Sequence, residues 1–187
     1  TDNVVPGLIN FAGSVGSFSL VVSTGLGAPN VGGPGEAEID LSVQASSNVA
    51  GTLQVTLEDT GLSIPTGASG NAGIISDLGI NALNDAAVTV ESFIRIGAST
   101  VFEALSTLSS GSGNVDLVET LRRTINSGDT FDLRTVITVT HDDKFASSSA
   151  DANINVAPIP LPAALPLFLT ALLGLGFVGR QRRRQTA

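Results

Sequence analysis

Along much of this chain, apolar and polar residues alternate with a period of two. In Glu38–Ser46, Ile39, Leu41 and Val43 fall on one face, and Asp40, Ser42 and Gln44 on the other. Gly51–Ile64 repeats the pattern, with Leu53, Val55 and Leu57 set against Gln54, Thr56 and Glu58. Only an extended backbone sends successive side chains to opposite faces, so both stretches read as half-buried strands. Phe18–Ser23, Val88–Ile96, Asp129–Thr140 and the short Ala152–Val156 are further predicted strands, rich in β-branched residues. Thr100–Leu108 and Val115–Ile125 fit either a strand or a single amphipathic helix. The shared parity of Val115, Leu117, Leu121 and Ile125 favours the strand in the second case. Gly25–Gly35 is too rich in Gly and Pro for any regular element. Asn3–Val15 reads as a flexible segment that could pair with a neighbouring subunit by strand addition. Roughly eight strands with turn residues between them predict an all-β domain over residues 1–156, an antiparallel β-sandwich of jelly-roll or Ig-like type.

The pattern changes at residues 157–162. Ala157–Pro162 (APIPLP) alternates proline with apolar residues, which removes backbone donors and holds the chain extended as a linker. From Leu161 to Val178, 18 residues carry no charge. As a helix they would span roughly 27 Å, enough for a thin bilayer core. Residues 163–179 are therefore predicted to be a transmembrane helix, and Arg180, Arg182, Arg183 and Arg184 form a basic tail over 180–187. The positive-inside rule puts that tail in the cytoplasm and the β-domain on the other side. The alternative, a buried core helix, is disfavoured by arginines placed directly after so long an uncharged run. Gly174, Gly176 and Gly179 match a dinucleotide-type GxGxxG string, but the string needs a preceding strand and a polar helix start. Inside an apolar span, small residues serve close helix approach better, with Thr170 and Gly174 as the packing face.

Charge sharpens this division. All 17 acidic residues lie at or before Asp151, and four of the nine basic ones lie after Gly179. An acidic domain excludes nucleic acid as a partner, because phosphate wants a basic face. The chain has no Cys, Met, Trp or Tyr and one His, so the domain stands on its packed core without disulfides. Beginning at Thr1 rather than Met, it is expected to have lost an export signal.

Little here can carry chemistry. His141-Asp142-Asp143 is the one cluster, yet neighbours on a strand point to opposite faces and do not converge, so a solvated strand end or turn is expected. Calcium at Asp142 or Asp143 would require carboxylates from another loop. No cofactor is expected. A thiol nucleophile is absent, no GxSxG elbow occurs, and one His offers little scope for a triad, so the chain is read as a non-enzyme. Arg122, Arg123 and Arg134 are expected to pair with carboxylates across strands. Exposed Trp and Tyr, the usual sugar platforms, are missing, which leaves hydrogen bonding as the route to any polysaccharide.

Ile159-Pro160-Leu161-Pro162-Ala163, the apolar run ending Gly174-Leu175-Gly176, and Arg182-Arg183-Arg184 together resemble the VPLPA variant of the PEP-CTERM sorting signal of Gram-negative bacteria. Ile159 stands where that family has Val. The domain is also similar to one recurrent type of PEP-CTERM ectodomain, in Gly16–Leu20, Ser23–Leu26, Ile39–Leu41 into Gly51–Gly61, and Phe131–Leu133 into Val136–His141. The resemblance implies an exported protein of the cell envelope or surface, processed at its C-terminus by a membrane-embedded exosortase. It further implies association with exopolysaccharide and biofilm matrix. Two alternatives accompany this reading: a self-assembling subunit of a surface filament or coat, and an accessory subunit of a membrane complex that keeps its helix.

Overall fold

The structure is a computed structural model, and it describes residues 8–26, 37–63, 71–83, 86–111, 113–125, 129–142 and 145–158. Among them are ten strands: β1 (Leu8–Val15), β2 (Phe18–Leu26), β3 (Ala37–Ser47), β4 (Gly51–Ser63), β5 (Asn71–Leu83), β6 (Ala86–Ile96), β7 (Glu103–Ser110), β8 (Gly113–Thr124), β9 (Thr130–His141) and β10 (Ala146–Pro158). They form two antiparallel sheets, a six-stranded one in the order β1-β2-β3-β10-β5-β8 and a four-stranded one in the order β4-β9-β6-β7. The fold is all-β, as predicted.

Alternation in the sequence becomes the two sides of each sheet. Ile39, Leu41 and Val43 of β3, Leu133, Ile137 and Val139 of β9, and Val88, Val90 and Ile94 of β6 all lie in the shared core. Their outward neighbours are partly or fully exposed. Both ambiguous stretches are strands, β7 and β8, and Val115, Leu117 and Leu121 pack against the core as their parity predicts. Burying each large aliphatic side chain contributes about 1.5–3 kcal/mol. Unsatisfied backbone is avoided by the ladders.

Polar residues inside the sandwich are few, and among the described ones only Thr135 Oγ1 and His141 Nδ1 are buried without a hydrogen-bond partner. Ser76, Ser92 and Ser106, from β5, β6 and β7, form a closed triangle of hydroxyls at 2.8, 2.5 and 2.6 Å. Each is buried, so the three hydroxyls satisfy one another without water and pin β5 of one sheet to β6 and β7 of the other.

Two expectations need correction, and two strands were not expected. Leu8–Val15, the greater part of the segment read as flexible, is strand β1, closed onto β2 through a two-residue turn. Gly16 supplies φ +58°, the left-handed conformation that tight hairpins require. The sandwich also runs past residue 156. Ala157 and Pro158 pair with Gly73 and Ala72 of β5, so the stretch read as linker begins inside the sheet. Lastly, β5 and the first half of β10 are strands that the sequence pattern left unread. Among the described residues no helix is long and apolar enough to cross a membrane. The predicted helix at 163–179 lies outside them.

Candidate functional site

His141 was expected at a solvated strand end or turn, and it is instead 1% exposed. As the last residue of β9 it keeps the inward parity of Leu133, Ile137 and Val139, which turns the imidazole into the core. Its ring lies 5.1 Å from that of Phe18, and Nε2 is 3.2 Å from Ser148 Oγ of β10. Nδ1 has no partner. Burial pushes its pKa down, so the ring is neutral at pH 7. Asp142, the next residue, is exposed, and Asp143 lies outside the described residues. Among the described residues no group of three His, Asp or Glu side chains could hold a metal ion.

The outward face of the four-stranded sheet carries a compact ionic cluster. Arg134 of β9 donates to Glu58 of β4 through Nε at 3.0 Å and Nη2 at 2.7 Å. Arg95 of β6 donates through Nε and Nη2, each at 2.6 Å, to Asp132 Oδ2. The two guanidinium groups lie against one ring, Phe102 of the β6–β7 connection, at 3.8 and 4.6 Å from its centroid. Asp132 Oδ1 also accepts the N–H of Gly61 at 2.8 Å. Gly61, at φ +74°, is part of a bulge where Thr60 and Gly61 face Asp132 alone. Cross-strand pairing of Arg134 was legible in the sequence. Phe102 and the bulge were not, because both depend on register. The two cations and two carboxylates neutralise each other, so the cluster clamps a loop and a strand edge and leaves no net charge for a ligand.

The outward face of the six-stranded sheet is chemically different. Register brings Val21, Gln44, Ser149 and Asn81, from β2, β3, β10 and β5, into one row across the strands. The adjoining row is Ser19, Ser46, Ser147 and Leu83. Between them lie two shallow depressions of about 190 and 150 Å³, both lined by Gln44 and Ser147. Neither reaches the roughly 300–1,000 Å³ of a small-molecule pocket. Further along the same face, Ser42, Asp151, Gly79 and Asp116 form a row, with Asp40, Asn153 and Asp77 beside it. Asn153 donates to Glu38. Partial burial, with Asp151 and Glu38 nearby, raises the pKa of Asp40. The result is a flat surface of short donors and acceptors, acidic toward one end. It suits hydrogen-bonded contact with an extended, hydroxyl-rich or hydrated partner, and it offers no nucleophile–base pair.

Of the other predicted site residues, Ile159, Pro160, Leu161, Pro162 and Ala163, Thr170 and Gly174, and Arg180, Arg182, Arg183 and Arg184 all lie outside the described residues. No protein-family model matches the chain, and no curated protein matches it. Similar solved structures include TmCBM61 in complex with β-1,4-galactotriose, at 6% identity over 79% of this chain and 92% of that one, with a TM-score of 0.37. Another is the C-terminal family 22 carbohydrate binding module of Clostridium thermocellum Xyn10B, at 16% identity, 83% and 94% coverage and a TM-score of 0.34. A chain of broad bean stain virus gives 10% identity, 87% and 96% coverage and a TM-score of 0.34. At such scores the likeness carries no inference about function.

Proposed function

We propose that this chain is an exported structural protein of the Gram-negative cell surface or extracellular matrix, whose β-sandwich is displayed beyond the membrane by a C-terminal exosortase-type sorting signal. One observation supports this reading above the others. β10 sits in the middle of the six-stranded sheet and is paired as far as Pro158, the residue before Ile159–Ala163. A processing enzyme acting at that motif would meet a folded domain whose strand pairing reaches the residue before it. The sandwich provides a hydrogen-bonding face suited to a hydrated polysaccharide matrix.

The test is localisation of the full chain, expressed with an export signal in a host that has the sorting machinery. The wild-type β-domain should be digested by protease added outside the cell, and mass spectrometry of the envelope and medium should show its C-terminus near Pro162. Replacing Arg182, Arg183 and Arg184 with Glu should abolish that display. A β-domain that stays in the cytoplasm, or is displayed equally well by the Glu variant, would overturn the proposal.

A further inference from the structure

Four strands end the two sheets, and three are blunted against pairing with another chain. β4 has the Thr60–Gly61 bulge beside Glu58 and Asp59. β7 has a bulge at Leu105 and an exposed Glu103. β8 carries Asp116, Glu119, Arg122 and Arg123. Charges and bulges are the usual protections of an exposed edge. β1 has neither: its sequence, LINFAGSV, is uncharged and lacks proline, and its register with β2 is unbroken. In a chain of net charge −8, no charged residue occurs from Asn3 to Gly35.

We propose that the free edge of β1 binds a second copy of this chain, antiparallel about a twofold axis, so that two six-stranded sheets continue as one. The backbone geometry suits this. Val15 and Phe18 flank a two-residue turn and so form a hydrogen-bonded pair, after which the pattern alternates. Ile9, Phe11 and Gly13 therefore direct N–H and C=O toward β2, and Leu8, Asn10, Ala12 and Ser14 direct theirs outward. The 3.2 Å bond from Ile9 N to Thr24 Oγ1 of β2 agrees with that assignment. Among the described residues nothing pairs with the outward groups.

A twofold axis through Phe11 sets Leu8 opposite Ser14 and Asn10 opposite Ala12 of the second copy. All the outward groups are then used, in about eight inter-copy hydrogen bonds. The same register places the two Phe11 rings side by side, and sets each Ile9 opposite a Gly13. Ile9, Phe11 and Val15 lie on the core-facing side of β1 yet are 42, 37 and 42% exposed, because no strand of the four-stranded sheet covers them. Two acidic molecules repel least where neither bears charge, which makes this edge the place where copies can meet.

Because the chain has no cysteine, the interface can be read by disulfide trapping in the full-length protein in detergent. F11C should give a disulfide-linked dimer on oxidation, at least about tenfold more than N114C on β8, S109C on β7 or T56C on β4. Facing residues of a non-hydrogen-bonded pair lie within disulfide reach. A12P removes one outward N–H without touching the bonds to β2, and should weaken dimerisation about tenfold or more by light scattering with the β spectrum retained. Equal trapping at all four edges, or none at F11C, would overturn the proposal. So would an oligomer unaffected by A12P, since association would then come from the C-terminal segment or another surface.

Discussion

β8 and β1 are the two edges of the same sheet, and they are built in opposite ways. β8 is covered: β7 of the facing sheet packs against both β5 and β8, and Val115, Leu117 and Leu121 on its inner side join the core. Arg123 and Glu103, 3.9 Å apart, close the rim between the sheets. β1 overhangs. Among the described elements it contacts β2 alone, since the four-stranded sheet is too narrow to reach it and β4 extends only as far as β2 and β3. Its inner residues Ile9, Phe11 and Val15 have core chemistry in a surface position. Phe11 compensates in part by folding over its own strand, where a Cβ on Gly13 would come within 3.1 Å of the ring. A sandwich of six strands against four must leave some strand uncovered. Here the overhang falls on the uncharged edge, and the charged edge is the one that is closed.

That contrast can be broken or sharpened by mutation. Leu78 of β5 is fully buried and pairs with Leu117 of β8, so Leu78→Ala should cost about 2–5 kcal/mol in denaturant unfolding. A cost below about 1 kcal/mol would mean that the closed flank is not packed as described. Ser76→Ala should cost about 1–2 kcal/mol, because it removes two of the three bonds of the hydroxyl triangle. Replacing Ser76, Ser92 and Ser106 together by Ala should cost less than three times as much, since no hydroxyl is left stranded.

Acid should act through His141. Its folded pKa lies below the usual value, so between the ordinary pKa near 6.5 and the lower folded value the unfolded chain takes up a proton that the folded one refuses. Stability should then fall with decreasing pH, by at most about 1.4 kcal/mol per unit. Asp40 and Asp59 have raised folded pKa values and act in the opposite sense, gaining stability as pH falls through those values. Comparison of wild type with His141→Leu over pH 5–7 isolates the first effect. Identical slopes would show that the ring is not held neutral. The smallest change is expected on the open flank: Phe11→Ala should alter monomer stability by about 0.5 kcal/mol or less, against several for Leu78→Ala.

Strands are legible in the sequence where large apolar residues keep one parity. β3, β4, β6 and β9 were legible because Ile, Leu and Val alternate there with Thr, Ser and acidic residues. β5 was hidden because Ser76 points inward while Ile75 and Leu83 are exposed outward, and two glycines interrupt the count. β10 alternates without fault, but its inward residues include Ala146, Ser148, Ala150 and Ala152, too small to stand out as a hydrophobic face. Those small residues belong to a central strand, opposite β6 and β9 with Phe131, Leu133 and Ile137 in the same core. The inward turn of His141 follows from its parity in β9, a signal that its acidic neighbours obscured. The polar rows of the six-stranded sheet could not be read at all, because they join residues from strands far apart in the chain and appear only once register is fixed.

Hydrogen exchange of the full-length chain at low and high concentration tests most directly whether β1 is the edge left open for a second copy. On dilution, the outward amides of Asn10, Ala12 and Ser14 should exchange rapidly while those of β5 and β9 stay protected. At high concentration those β1 amides should gain at least tenfold protection, while the amides of β4, β7 and β8 show no change. Rapid exchange of β1 at every concentration, or concentration-dependent protection appearing on β8 instead, would contradict the account.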